Sequence, residues 1–327
     1  MVLAAFLRRT GRAFIDSPAV PFSSRLRLRL FLNQSRRDAV FTRRGAGILS
    51  LPTWDPKALD GRVDTSRPLF ILAGGASVNE LSEQHFNVIQ AGVSAGINFW
   101  PIHNFVPNFL TSESSATQNA NTFLNERLRR TQMLDNPPVI LSLRPQFPHV
   151  VEQLQDFPPE LNQRRYVYGR ANLITRNERL LEGDIRRVLK VLTLEQGGNY
   201  PHSVLPDNGS SVVRLSFWAA RMGFSEIVWV GVDQSSGPYF WTDPDRAKTY
   251  RIAAEMVPRE SGSAHSTSSS ENRPFSNDVF LRALQRAFRA EAGIEIFVSS
   301  RTSTLSDEIP VYGWPGSTAP EPVAKLP

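Results

Sequence analysis

Two short apolar runs, each closed by glycine, constrain this chain more than any other feature. Leu69-Phe70-Ile71-Leu72-Ala73 ends in Gly74-Gly75, and Ile227-Val228-Trp229-Val230 ends in Gly231-Val232-Asp233. Neither run alternates apolar with polar residues, so each reads as a strand of a parallel sheet covered on both faces. Further strand candidates are Val93 to Phe99, Phe109-Leu110-Thr111, Val139 to Leu143, the shorter Arg165 to Tyr168, and Ile294 to Val298. Between them lie helical patterns: Asn79 to Gln90, Ser210 to Met222 stopped by Gly223, and Asn277 to Ala292 with Val279, Leu281, Leu284 and Phe288 on one side. Strands alternating with helices predict an α/β fold, a mostly parallel twisted sheet flanked by helices and Rossmann-like in form.

The 327 residues suffice for one large domain or two modest ones. There is no cysteine, which excludes disulfides, thiolate metal sites and cysteine nucleophiles. The charge is uneven. Residues 1–44 hold ten arginines against Asp16 and Asp38, a surplus of eight in a chain whose net charge is +6, so the remainder is slightly acidic. A body of that kind argues against a nucleic-acid enzyme, which spreads basic charge over its fold.

Residues 1–66 therefore read as a basic arm and linker, with Pro18, Pro21, Pro52 and Pro56 expected to break any long helix. Arg25, Arg27 and Arg29 alternate with Leu26, Leu28 and Leu30, a pattern suited either to an anionic membrane surface or to a tail packed on the body. The apolar start, Met1 to Leu7, is too short for the core of a signal peptide, and no run reaches the length of a membrane span. The expected location is cytoplasmic, peripheral on the inner membrane face. Residues 306–327 form a proline-rich tail, and the Ser-rich stretch Ser261 to Ser270 marks a lid around 255–276.

Four places could carry chemistry. Gly74-Gly75-Ala76-Ser77 follows the first strand: it is either a tight strand–helix turn or a loop whose backbone approaches a phosphate. Asp207-Asn208-Gly209-Ser210-Ser211 opens a helix, as caps or as small polar contacts to a carboxylate or phosphate. Asp233-Gln234 ends the strongest strand, where an acid could hold ribose or a sugar hydroxyl or simply form a turn. His265 sits in the Ser-rich segment, where a core role is unfavoured and acid/base work is open to it. His103 and His202 stand in reserve; His85 and His149 are placed less aptly.

Together these pieces resemble the small bacterial sialyltransferase family, with one nucleotide-binding domain of variant GT-A type, and its pterin diphosphokinase-like relatives. The matching text is FILAGGASVNEL at 70–81, SAGINFW at 94–100, SSVVRLSFWAARMGFSEIVWVGVDQ at 210–234 and AHS at 264–266. The resemblance covers roughly residues 68–305. It implies a nucleotide-sugar-binding domain over 67–305, with Gly74, Gly75, Ala76, Ser77, Asn98, Ser112, Asn208, Ser211 and Asp233 around the donor. His265 falls where the family has its general base, and Tyr239 is assigned to the departing phosphate. Three positions depart from the pattern: Ser235 and Trp241 stand where the family has tyrosines, and Asn208 stands where it has an arginine. Tyr166, Tyr168, Arg144 or Arg170 are further substitutes for those groups.

The implied activity is inverting transfer of a sialic-acid- or Kdo-like sugar from a CMP donor to a glycan or lipid-linked glycan acceptor. It implies no metal and no cofactor beyond the donor. The expected partners are that donor and acceptor, an anionic membrane through residues 1–44, and a second copy of the chain, but no nucleic acid. The alternatives are a nucleotide or pterin pyrophosphotransferase, with magnesium held by carboxylates such as Asp233 and Asp243, and an inactive nucleotide-binding scaffold.

Overall fold

The computed structural model describes residues 22–56, 63–113, 124–143, 157–173, 175–193, 200–234, 239–242 and 275–316. The strands are β1 (Leu69–Leu72), β2 (Val93–Ile97), β3 (Phe109–Ser112), β4 (Val139–Leu143), β5 (Arg165–Asn172), β6 (Val204–Asp207), β7 (Glu226–Val230) and β8 (Glu295–Val298). They form one sheet in the order β6-β5-β4-β3-β2-β1-β7-β8, and every neighbouring pair is parallel. This is the α/β, Rossmann-like architecture expected from the apolar runs. The central strands are buried on both faces because each side chain row meets a separate core. Leu69 and Ile71 of β1 point into one, Phe70 and Leu72 into the other. Ile227 and Trp229 of β7 divide from Val228 and Val230 in the same way.

Helix α1 (Phe22–Leu49) corrects the reading of residues 1–66 as a segment without a long helix. The prolines bracket the helix rather than interrupt it: Pro18 and Pro21 precede it, and Pro52 and Pro56 follow. Its buried stripe is Arg27, Phe31, Ser35, Asp38, Ala39, Thr42 and Ala46, recurring every three or four residues. Four of those seven are polar, so a search for apolar periodicity passes over them. Each finds a partner. Arg27 donates to Asp184 through Nε at 2.6 Å and Nη2 at 3.2 Å. The Asp38 carboxylate accepts the backbone N–H of Arg170 at 2.8 Å. Gly169 of β5 permits that approach, because a Cβ there would run into the Asp38 carboxylate and the Thr42 hydroxyl.

Helices α2 (Glu83–Ala91) and α3 (Thr131–Asp135) lie between the early strands. Helix α4 (Glu178–Thr193) was not anticipated; it buries Leu181, Ile185, Val188, Leu189 and Leu192 on the same side as α1. Helices α5 (Ser211–Met222) and α6 (Asn277–Ala292) match the sequence pattern, each ending on a glycine with positive φ, Gly223 and Gly293. Strand β6 was also unforeseen: Pro206 sits inside it, which the sheet tolerates because β6 is the edge. Past β8, the start of the proline-rich tail wraps the other edge. The Tyr312 N–H donates to Val298 at 2.8 Å, and Trp314 stacks on Phe70.

Candidate functional site

The strand order reverses at β1, which has β2 on one side and β7 on the other. Ligands of open parallel sheets sit beyond the carboxyl ends of strands at such a point. The loops leaving β1 and β7 are stitched together there. The Gly75 N–H donates to the Gly231 carbonyl at 2.9 Å, and a Cβ on Gly75 would collide with that carbonyl and with Asp233. Asp233 accepts the Ser77 N–H at 2.9 Å and the Ser77 hydroxyl at 2.5 Å. Ala76 opens the short 3-10 turn Ala76–Glu80. The tight-turn reading of Gly74–Ser77 thus describes this conformation, with the N–H groups of Gly75 and Ser77 both engaged inside the protein.

Tyr239-Phe240-Trp241 returns across this turn. The Phe240 N–H donates to the Gly74 carbonyl at 2.9 Å. Tyr239 and Trp241 stack, with centroids 4.4 Å apart and planes within 4°. A Cβ on Gly74 would stand 2.7 Å from the Trp241 ring, so glycine is what admits the aromatic pair. The indole N–H of Trp241 is buried without a hydrogen-bond partner among the described residues.

Asn98 follows β2 with a left-handed backbone, φ 47°, and its amide oxygen is likewise buried without a partner. Gln234, just past β7, repeats the combination with φ 53° and an amide oxygen unpartnered among the described residues. Left-handed backbone in residues with a Cβ stores strain and collects at functional sites. The side-chain hydroxyl of Thr111, at the end of β3, is also unpartnered among the described residues, while its carbonyl accepts the Asn98 N–H at 3.0 Å. Ser112 ends β3 in register with Ser142 of β4.

Next along the same sheet edge is a charged cluster that sequence reasoning missed. Arg214 of α5 donates to Asp207 at 2.7 Å and to the carboxylate of Glu113, which also accepts the Ser211 hydroxyl. Arg170 of β5 reaches Asp207 at 3.3 Å. Two arginines and two carboxylates balance, which is what allows Asp207 to be fully buried. Asp207 also accepts the N–H groups of Gly209 at 2.8 Å and Ser210 at 3.2 Å. The expected cap is therefore reassigned: Ser210 occupies the N-cap position of α5 without a side-chain bond, and Asp207 holds the turn. Asn208 beside it leaves its amide nitrogen buried without a partner among the described residues. Nothing in the sequence links Glu113 to Arg214, which lies 101 residues away.

The structure thus brings Gly74, Gly75, Ala76, Ser77, Asn98, Asp233 and Tyr239 to the reversal point, and Ser112, Asn208 and Ser211 to the adjoining edge. His265 and most of the lid around 255–276 lie outside the described residues, as do Arg144 and Asp243. Of the two reserve histidines, His103 stacks on Trp100 and His202 contacts Arg221, while the less apt His85 caps α2 by accepting the Ser82 N–H at 2.9 Å. Tyr168 is buried in the core, where desolvation raises its pKa, with the Asp207 charge adding and Arg170 opposing. Tyr166 packs edge-on against Trp54. Neither tyrosine lines the site.

No protein-family model and no curated protein matches this chain. Among solved structures, the sialyltransferase CstII from Campylobacter jejuni, in complex with cytidine-5'-monophosphate, is 13% identical. That match covers 76% of this chain and 85% of the other, with a TM-score of 0.41. The monofunctional alpha-2,3-sialyltransferase Cst-I from Campylobacter jejuni is 12% identical over 76% and 81%, also at 0.41. Monomeric CstII is 12% identical over 76% and 87%, at 0.42. The fold described above rests on strand order and register, not on these similarities.

Proposed function

We propose that this chain is an inverting glycosyltransferase that passes an acidic sugar of the sialic acid or Kdo class from a CMP donor to a glycan acceptor. One observation carries the reading. Residues that the sequence resemblance assigns to the donor, scattered from Gly74 to Asp233, share the carboxyl edge of one parallel sheet, and Asn98 among them is strained and has an amide oxygen without a partner among the described residues. The nucleotide lies across the Gly74–Ser77 turn and Asn98, and the Tyr239–Trp241 pair offers it an aromatic wall. His265 takes the proton of an acceptor hydroxyl; that oxygen bonds to the anomeric carbon as the bond from carbon to the CMP phosphate oxygen breaks. Tyr239 hydrogen-bonds the departing phosphate. Asp233 spends both carboxylate oxygens on Ser77, which favours this reading over a pyrophosphotransferase that needs free carboxylates for magnesium.

Thermal denaturation against CMP, UDP, GDP and ATP, with and without magnesium, tests the proposal. A ligand at a hundredfold its Kd adds about 2.7 kcal/mol. Selective stabilisation by CMP that survives a chelator is the expected result. Stabilisation by ATP only with magnesium would transfer the assignment to the pyrophosphotransferase, and silence from all four would leave a scaffold. With a CMP-sugar donor in hand, His265→Ala lowers turnover by ~10²–10⁴-fold while CMP still binds. Undiminished turnover would remove His265 from the chemistry.

A further inference from the structure

Helix α1 shows two opposed faces. The inner one holds Asp38, the helix's only acidic residue, which turns toward β5. The outer one exposes Arg25, Arg29, Arg36, Arg37, Arg43 and Arg44. At about 100° per residue the six fall within an arc of about 120°, and they extend along about 30 Å of the helix. None of the six forms an ion pair among the described residues. Val40 lies inside that arc and Ile48 at its border, 40% and 59% exposed. An exposed face of arginines with apolar side chains set among them is what an interfacial helix presents: guanidinium groups at lipid phosphates, aliphatic groups below them. A nucleic-acid backbone would meet the charge but offers nothing to Val40 or Ile48. The remainder of the chain beyond residue 44 is slightly acidic and continues no basic track.

We propose that the outer face of α1 docks flat on an anionic lipid surface. No described helix is long and apolar enough to cross a membrane, so the contact is peripheral. The inner face stays on β5 and α4, so docking needs no unfolding of α1, and the sheet is held beside the membrane by Arg27–Asp184 and Asp38–Arg170. This inference does not depend on the transferase reading.

Cosedimentation of the full chain with vesicles tests it. Phosphatidylcholine vesicles containing phosphatidylglycerol are expected to retain the protein, and phosphatidylcholine alone is not. Retention falls as salt is raised. The triple variant Arg36→Gln, Arg43→Gln, Arg44→Gln weakens binding about fivefold per arginine, on the order of a hundredfold together. Val40→Ser with Ile48→Ser weakens it further at high salt, where apolar insertion carries more of the affinity. All five side chains are exposed, so the variants keep the parent melting temperature, which is measured alongside. Equal retention on both vesicle types, or a triple variant that binds like the parent, overturns the proposal. Binding to duplex DNA without binding to anionic vesicles overturns it too, in favour of a nucleic-acid partner.

Discussion

Asn98 concentrates two costs in one side chain. Left-handed backbone costs a residue with a Cβ about 1–2 kcal/mol, less for asparagine than for others. A buried carbonyl with no donor costs about 1–3 kcal/mol. A ligand that supplies the donor offsets the second, which supports Asn98 as a nucleotide contact. Asn98→Gly separates fold from function, because glycine accepts φ 47° without strain and removes the orphaned oxygen. The variant should unfold within about 1 kcal/mol of the parent, since backbone entropy and strain relief act in opposite directions. Its CMP-induced thermal shift should be largely lost; a full shift would dismiss Asn98 from the site. Much of this site was legible beforehand because glycines, serines and asparagines just past apolar runs are visible in sequence. The Glu113–Arg214–Asp207 cluster was not, since its members meet only through the crossing of α5 over the sheet. The aromatic wall was half visible: Tyr239 stood out as a tyrosine near an expected one, but its stacking on Trp241 over Gly74 is a tertiary fact.

Helix α1 and strand β5 show why some elements are readable and others are not. The strands β1, β4 and β7 are nearly continuous apolar runs, interrupted by Ser142 in β4 and opened by Glu226 in β7, because both faces of the sheet centre are covered, and sequence finds them within a residue or two. Strand β5 carries Arg165 and Arg170, so the sequence pattern reaches only its first half, Arg165 to Tyr168, and α1 turns a half-polar stripe inward and is passed over. Their association depends on two local features. Gly169→Ala places a methyl against Asp38 and Thr42, and overpacking of that kind costs about 1–3 kcal/mol. Asp184→Ala breaks the buried Arg27–Asp184 pair, and removing one member of such a pair costs about 3–5 kcal/mol. Chemical denaturation should show both losses. In the Asp184 variant, limited proteolysis should cut within 22–49 before it cuts the sheet. Simultaneous cutting of helix and sheet would instead make α1 part of one cooperative unit with β5.

At the scale of the whole molecule, the core beneath α1 and α4 holds two phenols, Tyr168 and Tyr200, 1% and 3% exposed. Burial raises the pKa of both above the ordinary phenol value near 10. The sign follows from linkage. Below pH 10 both states keep the proton, and the tyrosines add no pH dependence. Above it the unfolded chain releases protons that the folded chain retains, so stability falls by up to about 1.4 kcal/mol per pH unit for each tyrosine. Burial also pushes the Arg165 pKa down, to about 10, a shift whose sign opposes that of the tyrosines. The parent curve alone therefore mixes the two effects, and the Phe variants isolate one of them. Tyr168→Phe should equal or exceed the parent at pH 7, because the hydroxyl it removes has no partner among the described residues. Between pH 9 and 11, denaturation of the Tyr168→Phe, Tyr200→Phe pair should gain steadily on the parent, by up to about 2.7 kcal/mol over the last unit. A constant difference across that range would mean that both phenols ionise in the folded protein, and that the core under α1 admits water; half the expected gain would mean that one of them does.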